Sequence, residues 1–188
     1  MKTNALILLI VVMATFSASA QRIKKTERVA EKETKDFLYE LECAGVGKQG
    51  TYLLKVWSYS KRKDVAIDQA KKNAVHGVVF KGFASGGKQQ SGDACRGQRA
   101  LANTPNIEDD QKAYFKKFFK DGGDYMRYVS SSDQVKTHME VIKLSGMKRV
   151  VDMAGIEYKV GVIVTVMKDE LRKHLEKDGV IRGLNSGF

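Results

Sequence analysis

One segment near the C-terminus constrains the fold more than any other. Over residues 156–167, Ile156, Tyr158, Val160, Val162, Val164 and Val166 fall on one side, while Glu157 and Lys159 begin the other. Beyond Val160 both sides turn apolar, which marks a central strand of a sheet. The remaining elements must supply its neighbours and its cover.

Residues 37–43 alternate in the same way, with Phe37, Tyr39, Leu41 and Cys43 set against Leu38, Glu40 and Glu42. A turn through Gly45, Gly47 and Gly50 leads to a second strand over 51–59, and the pair reads as an antiparallel hairpin. Residues 60–82 read as a helix whose buried stripe is Ile67, Ala70, Ala74 and Val78. Alanines on that stripe imply close approach to a sheet. A Gly-, Ser- and Gln-rich connection over 83–106 follows, longer than most loops of compact domains.

A helix is expected from Asn106, as cap, to Gly122 and Gly123. Glu108, Asp109 and Asp110 occupy its first turn, and Tyr114, Phe115, Phe118 and Phe119 form its apolar stripe. Strands are expected over 125–129, 135–144 and 149–153. After the central strand, a closing helix over 168–178 carries Leu171 and Leu175 and stops at Gly179. The tail, 180–188, is too short for independent structure. Runs of like elements, rather than strict alternation, argue for an α+β fold. The expectation is one domain over 37–179, with a largely antiparallel sheet covered by two to three helices.

The N-terminus points to the compartment. Lys2, an apolar run from Ala5 to Phe16 and the small residues Ala18, Ser19 and Ala20 read as a signal peptide over 1–20, cleaved after Ala20. The run is short for a membrane span, and no second one follows, so no transmembrane segment is expected after cleavage. The first cysteine is Cys43, which argues against a lipid anchor on a new N-terminal cysteine. Residues 21–36 form a solvated, charged lead.

The chain has 33 Lys and Arg against 22 Asp and Glu, and loss of Lys2 leaves 32 against 22, a net of +10. That excess favours anionic neighbours, whereas its plainer reading is solubility alone. Outside the cytosol the neighbours would be an acidic partner protein, an anionic envelope polymer or lipid headgroups; nucleic acid is not expected. Arg96, Arg99, Lys112, Lys116, Lys117 and Lys120 are the candidate contacts, the lysines reading equally as the wet face of their helix.

Cys43 and Cys95 are the only cysteines. In an oxidising compartment they read as one disulfide, worth roughly 3–4 kcal/mol for a loop of about fifty residues. Two free buried thiols are the alternative, and a catalytic Cys95 ranks behind both. His76, His138 and His174 lack a metal-ligand spacing and read as ordinary surface or partly satisfied groups; no metal or cofactor is expected. Trp57 and Tyr59 share one side of the second strand. They offer either a solvent-facing stacking platform or, as the stronger expectation, a surface buried under a helix.

Three stretches together carry a family resemblance. These are KVWSYSKRKDVAIDQAKKNAVHGVVFKG at 55–82, the strand-rich middle, and YKVGVIVTVMKDELRKHLEKDG at 158–179. Their layout resembles the lipoprotein-twenty family of bacterial envelope proteins and the related N-terminal domain of flagellar assembly protein T. The resemblance implies a small α+β module in the periplasm or at the outer membrane, used in assembly or interaction and not as an enzyme. The chain departs from that pattern in lacking the lipidation cysteine and in carrying the 83–106 insertion. The expected function is a non-catalytic interaction module of an envelope assembly, with a homo-oligomer or an envelope protein as partner. Second comes a binding module for an anionic polymer or headgroup, and third a hydrolase using Cys95.

Overall fold

A computed structural model of the protein describes residues 38–45, 47–85, 96–131, 140–143 and 158–183. Among them, the elements run β1 (Tyr39–Gly45), β2 (Tyr52–Ser60), α1 (Lys63–Phe80), α2 (Ile107–Asp110) and α3 (Lys112–Phe118). A 3-10 helix (Asp124–Tyr128), β3 (Val129–Ser131), β4 (Glu140–Lys143), β5 (Tyr158–Val166) and α4 (Lys168–Lys177) complete the order. The five strands form one antiparallel sheet ordered β1-β2-β5-β3, with β4 also on β5. The fold is α+β, as the pattern of elements predicts.

β5 is the central strand. It pairs with β2 from Ser60↔Tyr158 to Tyr52↔Val166, while β4 and β3 share its other edge in tandem. Val160, Val162, Val164 and Val166 face the same side as Leu54 and Val56 of β2, and this surface joins Ala66, Ala70 and Ala74 of α1 in the core. Alanine lets the helix axis come close to the sheet. The hairpin of β1 and β2 is antiparallel, with a register shift between Cys43 and Gly45. Leu171 and Leu175 of α4 are fully buried, and Gly179, with φ +68, follows the helix end.

Several local expectations are corrected. α1 has no narrow stripe: every residue from Asn73 to Val79 is buried, because its second half lies between the sheet and the aromatic cluster of α3. The helix expected from Asn106 is two short helices, broken at Gln111 (φ −108, ψ 28). Asn106 adopts a left-handed conformation (φ 63) and makes no side-chain cap; its carbonyl accepts from the amides of Asp109 and Asp110 instead. The expected strand over 125–129 is the 3-10 helix up to Tyr128. Its buried residues, Tyr125 and Tyr128, recur every three positions, the period of that helix and not of a strand. The tail contributes to the core through Val180 and Ile181.

Trp57 and Tyr59 are buried, but not under a helix. They lie on the face opposite Val56, where Trp57 pairs across the sheet with Gly161. A Cβ at position 161 would stand 2.8 Å from the Trp57 ring, so glycine is what lets the indole lie flat on β5. The ammonium groups of Lys55 and Lys159 sit 4.5 and 4.8 Å from the ring centroid, and the indole N–H donates to Glu42 at 3.1 Å. Charged side chains with apolar stems therefore close over this face where the sequence suggested a helix.

The expected signal peptide, the charged lead, Cys95, His138 and the strand over 149–153 lie outside the described residues. Of the strand expected over 135–144, the described part is β4.

Candidate functional site

Two surface depressions gather four of the six basic residues singled out by the sequence. The first lies where α3 meets α1. Phe115 and Phe119, one helical turn apart, form its floor, and Lys112, Lys116 and Lys120, spaced by four, form one edge. Lys72 of α1, Glu108, Asp109 and Asp121 complete a groove of about 620 Å³. Lys112, Lys116 and Lys120 make no ion pair among the described residues. Lys117 is exposed and lies outside the lining.

The groove is fixed from beneath by His76. Its Nε2 lies 3.0 Å from Glu108 Oε1, and its Nδ1 lies 2.7 Å from the Tyr39 hydroxyl. A carboxylate only accepts, so Nε2–H donates to Glu108, and Nδ1 accepts from the tyrosine O–H. One neutral imidazole thus ties β1, α1 and α2 together. Burial pushes its pKa down to about 4, against the pull of Glu108, and Lys81 and Lys72 add to the depression. His174 is held at one nitrogen only: its Nε2 lies 3.2 Å from the Tyr114 hydroxyl and 3.4 Å from Asp178 Oδ2, and that hydroxyl donates to Asp178 at 2.8 Å. His76 is satisfied at both ring nitrogens and His174 is partnered at Nε2, and among the described residues no group of three or more His, Cys, Asp or Glu could hold a metal ion.

The second depression sits at the end of the sheet where α4 begins. At the end of α1, Gly82 takes φ +68; a Cβ there would also press within 2.3 Å of the Gln98 carbonyl, so only glycine fits this reversal. Phe83 and Gln98 then exchange backbone hydrogen bonds of 2.9 and 2.8 Å. The amides of Leu101 and Ala102 donate to the carbonyls of Val78 and Val79, which the helix end would otherwise leave unsatisfied. This strap carries Arg99 across to α4. There Arg99, Lys168 and Arg172 line a cavity of about 470 Å³ together with Tyr52, Gln98 and Asn103. The Asp169 amide donates to the Gly50 carbonyl at 3.1 Å and fixes the first turn of α4 against the hairpin turn.

Arg96 lies in an adjoining depression of about 360 Å³ lined also by Cys43, Phe83 and Gln98. The candidates therefore divide: Lys112, Lys116 and Lys120 meet Lys72 at the groove, Arg99 meets Lys168 and Arg172 at the cavity, and Arg96 joins neither cluster. No family model, curated protein or solved structure matches this chain. Sequence reasoning missed Lys72, Tyr52, Lys168 and Arg172. The four-residue spacing of Lys168 and Arg172 on a helix was a legible signal; their meeting with Arg99 was not.

Among the described residues, no helix is long and apolar enough to cross a membrane.

Proposed function

We propose that the protein is an exported, non-catalytic module of a bacterial envelope assembly, working in the periplasm or at the inner face of the outer membrane. Its groove between α1 and α3 docks an acidic segment of a partner protein. The observation that carries this reading is the row of Lys112, Lys116 and Lys120 beside the aromatic floor of Phe115 and Phe119. Those three ammonium groups, spaced one turn apart and without ion pairs among the described residues, complement carboxylates on a partner, while Glu108, Asp109 and Asp121 on the same lining confine such contacts to the lysine edge. The signal-like leader and the family resemblance support the location.

A photo-crosslinking residue at position 116, in protein expressed in its native envelope, is expected to yield a discrete protein adduct, whereas the same residue at position 63 is not. The K112E/K116E variant is expected to elute alone on size exclusion where the wild type retains its partner. Raising the salt should release the wild-type complex as well. A solitary wild-type monomer with no adduct at position 116 would refute the reading.

The same location implies the Cys43–Cys95 disulfide. Cys43 is half-buried on β1 and shares its depression with Arg96, the chain neighbour of Cys95. Intact mass of the envelope-derived protein under non-reducing conditions is expected to be two hydrogens below that of the dithiol. Replacing both cysteines by serine is expected to reduce stability by about 3 kcal/mol in a urea titration. Two free thiols in freshly isolated protein would contradict it.

A further inference from the structure

We infer that the cavity at the start of α4 is a binding site for a phosphomonoester, held by Arg99, Lys168 and Arg172. Three cations line this cavity and no carboxylate does. Arg99 has no acidic partner among the described residues. Arg172 gives one Nη1 contact to Glu176 at 3.2 Å, which leaves most of its five N–H donors for a ligand. Lys168 touches Asp169 at 2.9 Å, outside the lining, and retains further ammonium protons.

The donor set selects the ligand chemistry. Two guanidinium forks present paired N–H groups matched to tetrahedral or planar oxyanions, and the lysine adds a point charge. A carboxylate presents two acceptor oxygens, whereas a phosphomonoester carries about −1.5 to −2 at neutral pH and presents three, one for each of the two guanidinium groups and the ammonium. The cavity is also larger than a phosphoryl group, so it has room for the first atoms of whatever bears the phosphate. Tyr52 offers them a ring, with its hydroxyl 3.2 Å from Gln98 Oε1 and the Lys168 ammonium 5.5 Å from the ring centroid.

The site is built and not incidental. Arg99 arrives only through the strap on α1, and Lys168 and Arg172 only through the docking of α4 on the hairpin turn. These three residues belong to segments about seventy positions apart, yet backbone hydrogen bonds fix both segments. The site is separate from the α1–α3 groove and stands or falls independently of it.

The phosphate could be free or on a lipid headgroup, and two arms of one experiment separate these sources. Calorimetric titration of the full chain with inorganic phosphate and glycerol 3-phosphate reads the free form. Co-sedimentation with vesicles of phosphatidylcholine, with and without phosphatidic acid, reads the headgroup. Saturable binding is expected in at least one arm, weakened 10- to 100-fold by Arg172→Gln and by Arg99→Gln. Lys117→Gln is expected to bind as the wild type does. Circular dichroism spectra and urea midpoints of the two arginine variants that match the wild type guard against a folding artefact. The arm that binds more tightly assigns the source. Absence of binding in both arms, or equal affinity in wild type and both well-folded arginine variants, would overturn the inference.

Discussion

Replacing Phe118 by alanine is expected to destabilise the protein by about 3–5 kcal/mol, a large fraction of the ~5–15 kcal/mol that a domain commands. The side chain is 2% exposed and stands between three elements. Its ring stacks on Tyr128 of the 3-10 helix at 6.3 Å and on His174 of α4 at 5.8 Å, and meets Phe119 edge-on at 5.0 Å. Planar rings cannot flow into the space an alanine would leave, so most of the cavity persists. Phe118→Leu, which refills part of the volume, should cost roughly 1–2 kcal/mol. Urea titrations followed by circular dichroism measure both. A loss below about 1 kcal/mol for the alanine variant would mean that α3 lies outside the cooperative core. The groove floor would then lack the rigid support that docking requires.

The residues that made the fold legible share one property: their patterns are local and repeat several times. Val160, Val162, Val164 and Val166 mark β5 as central because four successive alternations leave a single phase, and Leu171 and Leu175 place α4 for the same reason. The stripe of Phe115, Phe118 and Phe119 was equally readable as core. Shorter patterns failed. Tyr125 and Tyr128 sit in a stretch of β-formers, and only one repeat distinguishes a period of three from a period of two. Asn106 carries the side chain of a helix cap, yet its left-handed backbone leaves that side chain no cap to make.

The sites were less legible than the fold because both depend on contacts between distant segments. Nothing near Arg99 announces that Gly82 will reverse the chain, or that Leu101 and Ala102 will bind the last carbonyls of α1. The partition of the lysines was partly visible, since Lys112, Lys116 and Lys120 keep a four-residue spacing that Lys117 breaks. Trp57 shows the opposite limit. Its burial was expected, but its cover of lysine stems and Gly161 comes from cross-strand register, which a single strand does not encode.

Acidification from pH 6.5 to about 4 is expected to remove about 3 kcal/mol of stability through His76 alone. The residue is 3% exposed, flanked by Phe80 at 4.8 Å and Phe119 at 5.7 Å, with Tyr39, Glu108, Lys72 and Lys81 as the ionisable groups around it. Burial holds the folded-state pKa near 4, while the unfolded chain titrates near 6.5. Between those values the unfolded state binds the extra proton, so stability is complete above pH 6.5 and falls as the pH drops. Glu40 and Asp64 are held below the usual carboxylate range, chiefly by hydrogen bonds from Tyr59 and Arg62 respectively, and their contributions fade only at lower pH. His76→Gln should therefore be less stable at pH 7 yet show a much flatter profile between pH 6.5 and 4.5. Urea midpoints across that interval decide the matter, and parallel slopes in wild type and variant would exclude His76 as the origin. Because the added proton goes to Nδ1, it removes the acceptor of the Tyr39 O–H while Nε2–H stays on Glu108, so the same acidification should loosen β1 from α1 before the centre of the sheet gives way. Amide exchange along β1 should accordingly rise earlier than exchange along β5.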